Sequence, residues 1–392
     1  MWHKFLMQAA AGFLRRQARA RPPRPLGQMD PRKVRRVLLL NFTALGDLLF
    51  STPALRALRE SFPHWEVDLL VNPSCQELMQ EHPGLKRLWP YPGRGWRLLS
   101  LMGRLRRQGY DLAIILHGND PEASLLARAS RAPFVVGSAR SPLAFAYSAG
   151  VRPTHSLEHA IQRRLNFVRL LGADTPNPHM EIFLPAAAKA EAQAVLARHF
   201  GAPPELLLAL HPTGSAPYKC WPLEAYAALG DFLHREYGAA LLLVSGGRDR
   251  LQAQALAAQI KAPALVTGGR FSLLTVAALL RRCRLLVGND SGPFHLAMAL
   301  KVPGLALMGA DHPRRVGPYQ VEWGDFLYKK AEVCPHDPCL NKECPDNRCL
   351  KAITVAEVAA RLRQWWEPRF LSRPLPAPAP LGDSGPTGQG LG

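Results

Sequence analysis

Apolar residues in this chain come in short unbroken runs separated by longer amphipathic stretches. Residues 34–40 (VRRVLLL) end in such a run, which is what a strand buried on both sheet faces requires. Similar runs fall at 67–71, 111–116 and 134–137, then at 206–210, 240–245, 265–267, 285–288 and 304–308. Between them the spacing predicts helices over 47–60, where Pro53 interrupts the first turns, and over 163–171, where Gly172 supplies a stop. After a Pro-rich break at 176–185 the alternation restarts, with helices predicted over 186–200, 222–237, 251–260, 273–282 and 293–300, and a last one over 354–366. Strands alternating with helices predict parallel sheets covered on both faces. The predicted fold class is α/β, with two doubly wound domains facing a cleft, a favoured place for ligands.

The predicted divisions are a basic extension over 1–33, a first domain over 34–185, a second over 186–370 and a tail over 371–392. The tail holds five Pro and five Gly in 22 residues and reads as disordered. With 392 residues, 47% of them hydrophobic, the chain has material for two cores. No apolar run approaches the ~18 residues of a membrane span, so a soluble or peripheral protein is expected.

Charge changes the picture at one end. The chain carries a net +19, and residues 1–36 hold +9 of it, from ten Lys or Arg against Asp30. A basic surface favours anionic partners without choosing among them. Trp2, Phe5, Leu6, Met7, Phe13 and Leu14 stand beside Lys4, Arg15, Arg16 and Arg19. That pattern fits an amphipathic helix on an anionic membrane, a disordered basic extension, or a short secretory signal, although arginines follow it where a cleavage site needs small residues. Nucleic-acid binding is not expected, because no aromatics interleave with basic residues in the body of the chain.

Four segments carry candidate chemistry, each directly after a predicted strand, where open parallel sheets gather functional groups. The first is Asn41-Phe-Thr-Ala-Leu-Gly-Asp47. Asp47 either caps the following helix or faces the cleft as a general base. The second, His211-Pro-Thr-Gly-Ser-Ala-Pro-Tyr-Lys-Cys-Trp-Pro222, offers Thr213, Ser215 and Lys219, a set suited to a diphosphate as well as to an ordinary polar loop. The third, Val287-Gly-Asn-Asp-Ser-Gly-Pro-Phe-His295, opens a helix whose free N–H groups bind anions. Asp290 would repel phosphate there and suits sugar hydroxyls instead. The fourth, Ser245-Gly-Gly-Arg-Asp249, puts a carboxylate where ribose hydroxyls can donate to it, or is a plain turn.

Three of these, in this order and spacing, resemble the ADP-heptose:lipopolysaccharide heptosyltransferases. The resemblance lies in Gly46-Asp-Leu-Leu-Phe-Ser-Thr-Pro-Ala-Leu55, in Lys219 with Trp221-Pro222, and in Asp290-Ser-Gly-Pro-Phe-His-Leu-Ala297, and it runs from about residue 34 to about 363. It implies the glycosyltransferase-B architecture, two Rossmann-like domains with acceptor on the first and donor on the second. It also implies inverting transfer without a required metal or other cofactor. By that likeness Asp47 is the catalytic base, and Thr213, Ser215, Lys219, Asp249, Asp290, Ser291, Gly292 and His295 bind the ADP-heptose donor. Gly46 and His117 are expected toward an anionic, lipid-linked glycan acceptor. The implied location is the cytoplasm, peripherally at the inner face of the cytoplasmic membrane. Alternatives are a transferase of another nucleotide sugar, a nucleotide-sugar epimerase on the same fold, or a non-catalytic glycan- or nucleic-acid-binding protein.

Cys334, Cys339, Cys344 and Cys349 recur at every fifth position. Zinc ribbons use closer pairs separated by a longer stretch. The segment reads as unliganded, as a structural metal or cluster site, or as disulfides, and a reducing compartment disfavours the last.

Overall fold

The computed structural model describes residues 2–117, 121–336, 339–340 and 344–372. Gly118, Asn119 and Asp120, and the tail from 373 onward whose disorder was expected, lie outside the described residues.

Two six-stranded parallel sheets form the frame. The first contains β1 (Arg36–Asn41), β2 (Glu66–Val71), β3 (Arg87–Pro90), β4 (Leu112–Ile115), β5 (Phe134–Ser138) and β6 (Ala149–Val151), in the order β3-β2-β1-β4-β5-β6. The second contains β7 (Leu207–His211), β8 (Ala240–Leu243), β9 (Ala264–Val266), β10 (Leu286–Asn289), β11 (Gly304–Met308) and β12 (Gly324–Tyr328), in the order β12-β11-β10-β7-β8-β9. Every pairing is parallel. The two orders are the same doubly wound pattern, read from opposite edges.

In the first unit the helices are α1 (Trp2–Ala20), α2 (Leu45–Leu49), α3 (Thr52–Ser61), α4 (Trp96–Arg106), α5 (Pro121–Ala129) and α6 (Ala160–Arg169). Alternation along β1 assigns them to faces: Val37 and Leu39 share a core with Leu58 of α3 and Leu165 of α6. Leu38 and Leu40 share the other with Leu14 of α1, Leu105 of α4 and Leu126 of α5. Ala10 and Leu14 are buried, so the stretch expected to stand apart as an extension packs onto the first domain. The single helix predicted over 47–60 is two, because Pro53 lacks the N–H a continuous helix needs and instead starts α3.

The second unit carries α7 (Ala186–Phe200), α8 (Leu223–Tyr237), α9 (Arg250–Gln259), α10 (Leu273–Arg281), α11 (Gly292–Ala299), the single turns α12 (Pro313–Val316), α13 (Lys330–Val333) and α14 (Arg348–Lys351), and α15 (Val355–Arg361). Thr354 and Glu357 form a capping box that starts α15, and the chain continues as a wider helical turn, Leu362–Leu371, through Pro368. Among the described residues no helix is long and apolar enough to cross a membrane.

Candidate functional site

Doubly wound sheets reverse their direction of growth between two central strands, and loops leaving those strands part to open a crevice. Here the neighbours are β1 with β4 and β7 with β10. The loop 41–47 leaves β1, His117 follows β4, the loop 211–222 leaves β7, and Asp290 and Ser291 follow β10. Gly288 is required inside this frame, since a Cβ there would lie 2.8 Å from the Cβ of His211 on the adjacent strand.

On the first domain, Asp47 lies in the first turn of α2, whose N-cap position is Ala44, and makes no capping bond. Its Oδ1 accepts from Arg164 Nη2 at 2.5 Å, so the capping alternative gives way to an ion pair. Burial pulls the Arg164 guanidinium below its ordinary pKa while the Asp47 carboxylate opposes the shift. Arg164 also donates through Nη1 to the Ala160 carbonyl at 3.0 Å, which fixes its reach. Behind the loop, the Asn41 Nδ2 donates to the Asp47 carbonyl at 3.0 Å and to Ser51 Oγ at 2.6 Å. The Asp47 side chain remains 47% exposed, held on one side and open on the other.

It opens onto a cavity of about 350 Å³ lined by Asp47, His117, Glu158, Arg140, Arg152, Arg163, Arg164 and Arg315. Five guanidiniums against two carboxylates make this a receptacle for an anion. The structure thus brings Asp47 and His117 together, as expected. The arginines had no sequence signal: they lie as far apart as 140 and 315 and converge only through folding.

On the second domain, Thr213 Oγ1 and Ser291 Oγ are buried with no hydrogen-bond partner among the described residues. Buried hydroxyls normally find partners, so two orphans at the ends of β7 and β10 are suited to ligand oxygens. Asn289 couples their loops: its Nδ2 donates to the Thr213 carbonyl at 3.1 Å and its Oδ1 accepts from the Trp221 N–H at 2.9 Å. Gly292 begins α11 directly after Ser291, leaving helix N–H groups toward the crevice. Lys219 Nζ donates to Asp311 Oδ2 at 2.7 Å. Burial works against its charge, but the Asp311 carboxylate outweighs it and the pKa ends above the ordinary lysine value. Asp311 was missed because it comes from the loop after β11, far along the chain. Ser215 is exposed and Asp249 partly so, at the mouths of their loops.

The two domains meet where α2 and α11 abut. His295 Nε2 stands 3.1 Å from Asp290 Oδ1, and its ring centroid is 4.5 Å from that of Phe50. A Cβ on Gly46 would lie 2.8 Å from His295 Cδ2, and one on Gly292 would lie 3.1 Å from Leu45 Cβ. Gly46, expected as an acceptor contact, also lies in this close packing. A second bridge is His159, whose Nδ1 accepts from the Ile161 N–H at 3.1 Å while Nε2 reaches the Gly317 carbonyl at 3.0 Å. Burial lowers its pKa to about 4, so at neutral pH it is uncharged, accepting at Nδ1 and donating at Nε2.

The chain and its fold have known counterparts. The model of glycosyltransferase family 9 (heptosyltransferase) matches residues 98–348. Lipopolysaccharide heptosyltransferase 1 of Pseudomonas aeruginosa is 31% identical over 329 residues, covering 79% of this chain and 87% of that protein. Among solved structures, a family 9 glycosyl transferase from Veillonella parvula superposes with a TM-score of 0.77 at 26% identity, over 86% of this chain and 98% of that one. The E. coli heptosyltransferase WaaC with ADP-2-deoxy-2-fluoro heptose superposes with a TM-score of 0.62 at 22% identity, over 84% of this chain and 99% of that one. A family model over more than half of the chain and a relative of 31% identity place it: the chain belongs to glycosyltransferase family 9, the heptosyltransferases.

Proposed function

We propose that the protein transfers heptose from ADP-heptose to a lipopolysaccharide core or related surface-glycan acceptor, with inversion and with Asp47 as general base. The observation that carries this is that Asp47, open to an arginine-lined cavity, and Ser291, whose hydroxyl is buried without a partner among the described residues, flank Gly46 and Gly292, the two glycines at which α2 and α11 pack together. Names of relatives support the substrates: the Pseudomonas protein is a lipopolysaccharide heptosyltransferase, and the WaaC structure holds an ADP-heptose analogue.

In this reading the acceptor's anionic groups lie among Arg140, Arg152, Arg163 and Arg315. Asp47 takes the proton from the acceptor hydroxyl as its oxygen attacks the anomeric carbon from the face opposite the diphosphate. The bond from that carbon to the diphosphate oxygen breaks, and ADP leaves with the electron pair. Thr213, Ser291 and the N-terminus of α11 hold the diphosphate, and Lys219 offsets its growing charge. Asp290, braced by His295, accepts from donor-sugar hydroxyls.

The acceptor's lipid suggests peripheral binding at the inner face of the cytoplasmic membrane. Trp96 and Leu99 of α4, 74% and 68% exposed, and Phe13 of α1 are unusually bare apolar groups on helices that share one sheet face. Arg94, Arg97, Arg15 and Arg16 surround them in sequence, the composition of a helix face that rests on anionic lipid.

The experiment is a thermal-shift screen against ADP-heptose, ADP-glucose, UDP-GlcNAc and GDP-mannose, followed by a transfer assay onto lipopolysaccharide core. Selective stabilisation by ADP-heptose and product formation are expected. Stabilisation by a different nucleotide sugar overturns the donor assignment.

A further inference from the structure

The regularly spaced cysteines are separate from the chemistry above, and folding gathers them. Cys334, Cys339, Cys344 and Cys349 all line one small cavity, with Lys330 and Arg348 beside them. None is in a disulfide. α13 and α14 are single turns, and among the described residues between 335 and 351 only Cys349 and Leu350 reach the core. Four thiols around one hollow, flanked by two cations, are the makings of a cross-link supplied by metal.

As they stand, no three His, Cys, Asp or Glu side chains among the described residues sit close enough together to hold a single ion. A tetrahedral zinc site, with Zn–S of about 2.3 Å, therefore needs the thiols to draw inward, whereas an iron–sulfur cluster spans more widely separated sulfurs. Both share one chemistry, four thiolates on a thiophilic metal centre.

We propose that Cys334, Cys339, Cys344 and Cys349 bind such a centre, a single zinc or iron ion or an iron–sulfur cluster, and that it braces the donor loop. The bracing follows from what the segment touches. Asn347 Nδ2 donates to the Cys220 carbonyl at 2.8 Å and to the Pro217 carbonyl at 3.3 Å, on either side of Lys219. Asn347 holds a left-handed backbone, with φ at 41°, in order to do so. Cys349 and Leu350 pack on Gly309, where an added Cβ would lie 3.0 Å from Cys349 Sγ, two residues before Asp311, the partner of Lys219. Metal-held cysteines would thus fix both ends of the Lys219–Asp311 pair. The bracing rests on the reading of Lys219 as a diphosphate ligand; the metal site does not.

The test is metal analysis, acid-labile sulfide and visible absorption on full-length protein purified without oxygen, for wild type, Cys339→Ser and Cys344→Ser. Circular dichroism checks that the variants fold. Stoichiometric zinc, stoichiometric iron, or several irons with matching sulfide and a visible charge-transfer band are the expected results, each lost in the variants. Absence of metal from wild type, with all four thiols open to alkylation, overturns the site. For the bracing, the variants should raise the donor KM about tenfold, equivalent to ~1.4 kcal/mol, with kcat changed far less. Metal lost with an unaltered donor KM overturns the bracing and leaves the site standing.

Discussion

The two domains share a strand order and differ in what they place at the point where it reverses. At β1 and β4 that point holds Asp47, Arg164 and a cavity ringed by guanidiniums. At β7 and β10 it holds two unpartnered hydroxyls, a helix N-terminus and one lysine already paired with an aspartate. One half sets a carboxylate among clustered cations, the other sets unpartnered hydroxyls beside a helix N-terminus and one cation. The difference teaches that the fold supplies the position and a few loop residues supply the chemistry.

Substitutions can break this division of labour. The largest effect is expected from Asp47→Asn, which keeps the size of the side chain and removes its basicity. Transfer should fall by about 10²- to 10⁴-fold while ADP-heptose still raises the melting temperature as in wild type. Loss of donor-induced stabilisation would mean that the halves are not separate in function. Lys219→Ala should do the converse, weakening donor binding in titration calorimetry by about 1.5–3 kcal/mol; an unchanged isotherm removes Lys219 from the diphosphate site.

Gly46→Ala tests the seam where the halves touch. A methyl group 2.8 Å from His295 Cδ2 must displace the His295 ring or part α2 from α11, and a displacement of that kind should lower kcat by about tenfold or more. Full activity would show that the halves need not meet this closely. Arg152→Ala should sharpen the contrast: the acceptor KM rises by several-fold, less at high salt because exposed charges are screened beyond ~8–10 Å, and donor affinity is unchanged.

The smallest expected effect is on pH dependence through His159. Its pKa is depressed by burial to about 4 in the folded chain, against ~6.5 when unfolded. Between those values the unfolded chain binds the extra proton, so stability is full above about pH 6.5 and is lost as pH falls toward 4, by at most ~1.4 kcal/mol per pH unit. Melting temperatures from pH 7 to 5 should fall less steeply in His159→Gln. Equal slopes would show that His159 does not govern the seam.

Much of the frame was legible in the chain. Nine of the strands sit on predicted runs, because a strand buried on both faces must be continuously apolar. The missed strands β3, β6 and β12 lie at sheet edges, where the continuous apolar burial gives way: β3 even ends in Pro90, which an edge tolerates. Helix α4 was missed because Trp96 and Leu99 face outward and blur its period. Within the site, Asp47, Thr213, Lys219 and Ser291 were legible as strand-end residues, yet their partners were not. Arg164 is 117 residues from Asp47, and Asp311 is 92 from Lys219.

By itself, then, the sequence determined the two doubly wound units, the loops that carry chemistry and the family. Those depend on local apolar periodicity and on short motifs, which survive in one dimension. Only the tertiary structure decided that Asp47 is an ion-pair partner rather than a helix cap, that Gly46 serves packing against His295, that five arginines ring one cavity and that four cysteines ring another. Each of these is a meeting of side chains from distant segments, and the distance between such groups is set by how sheets and helices pack, which no local pattern contains.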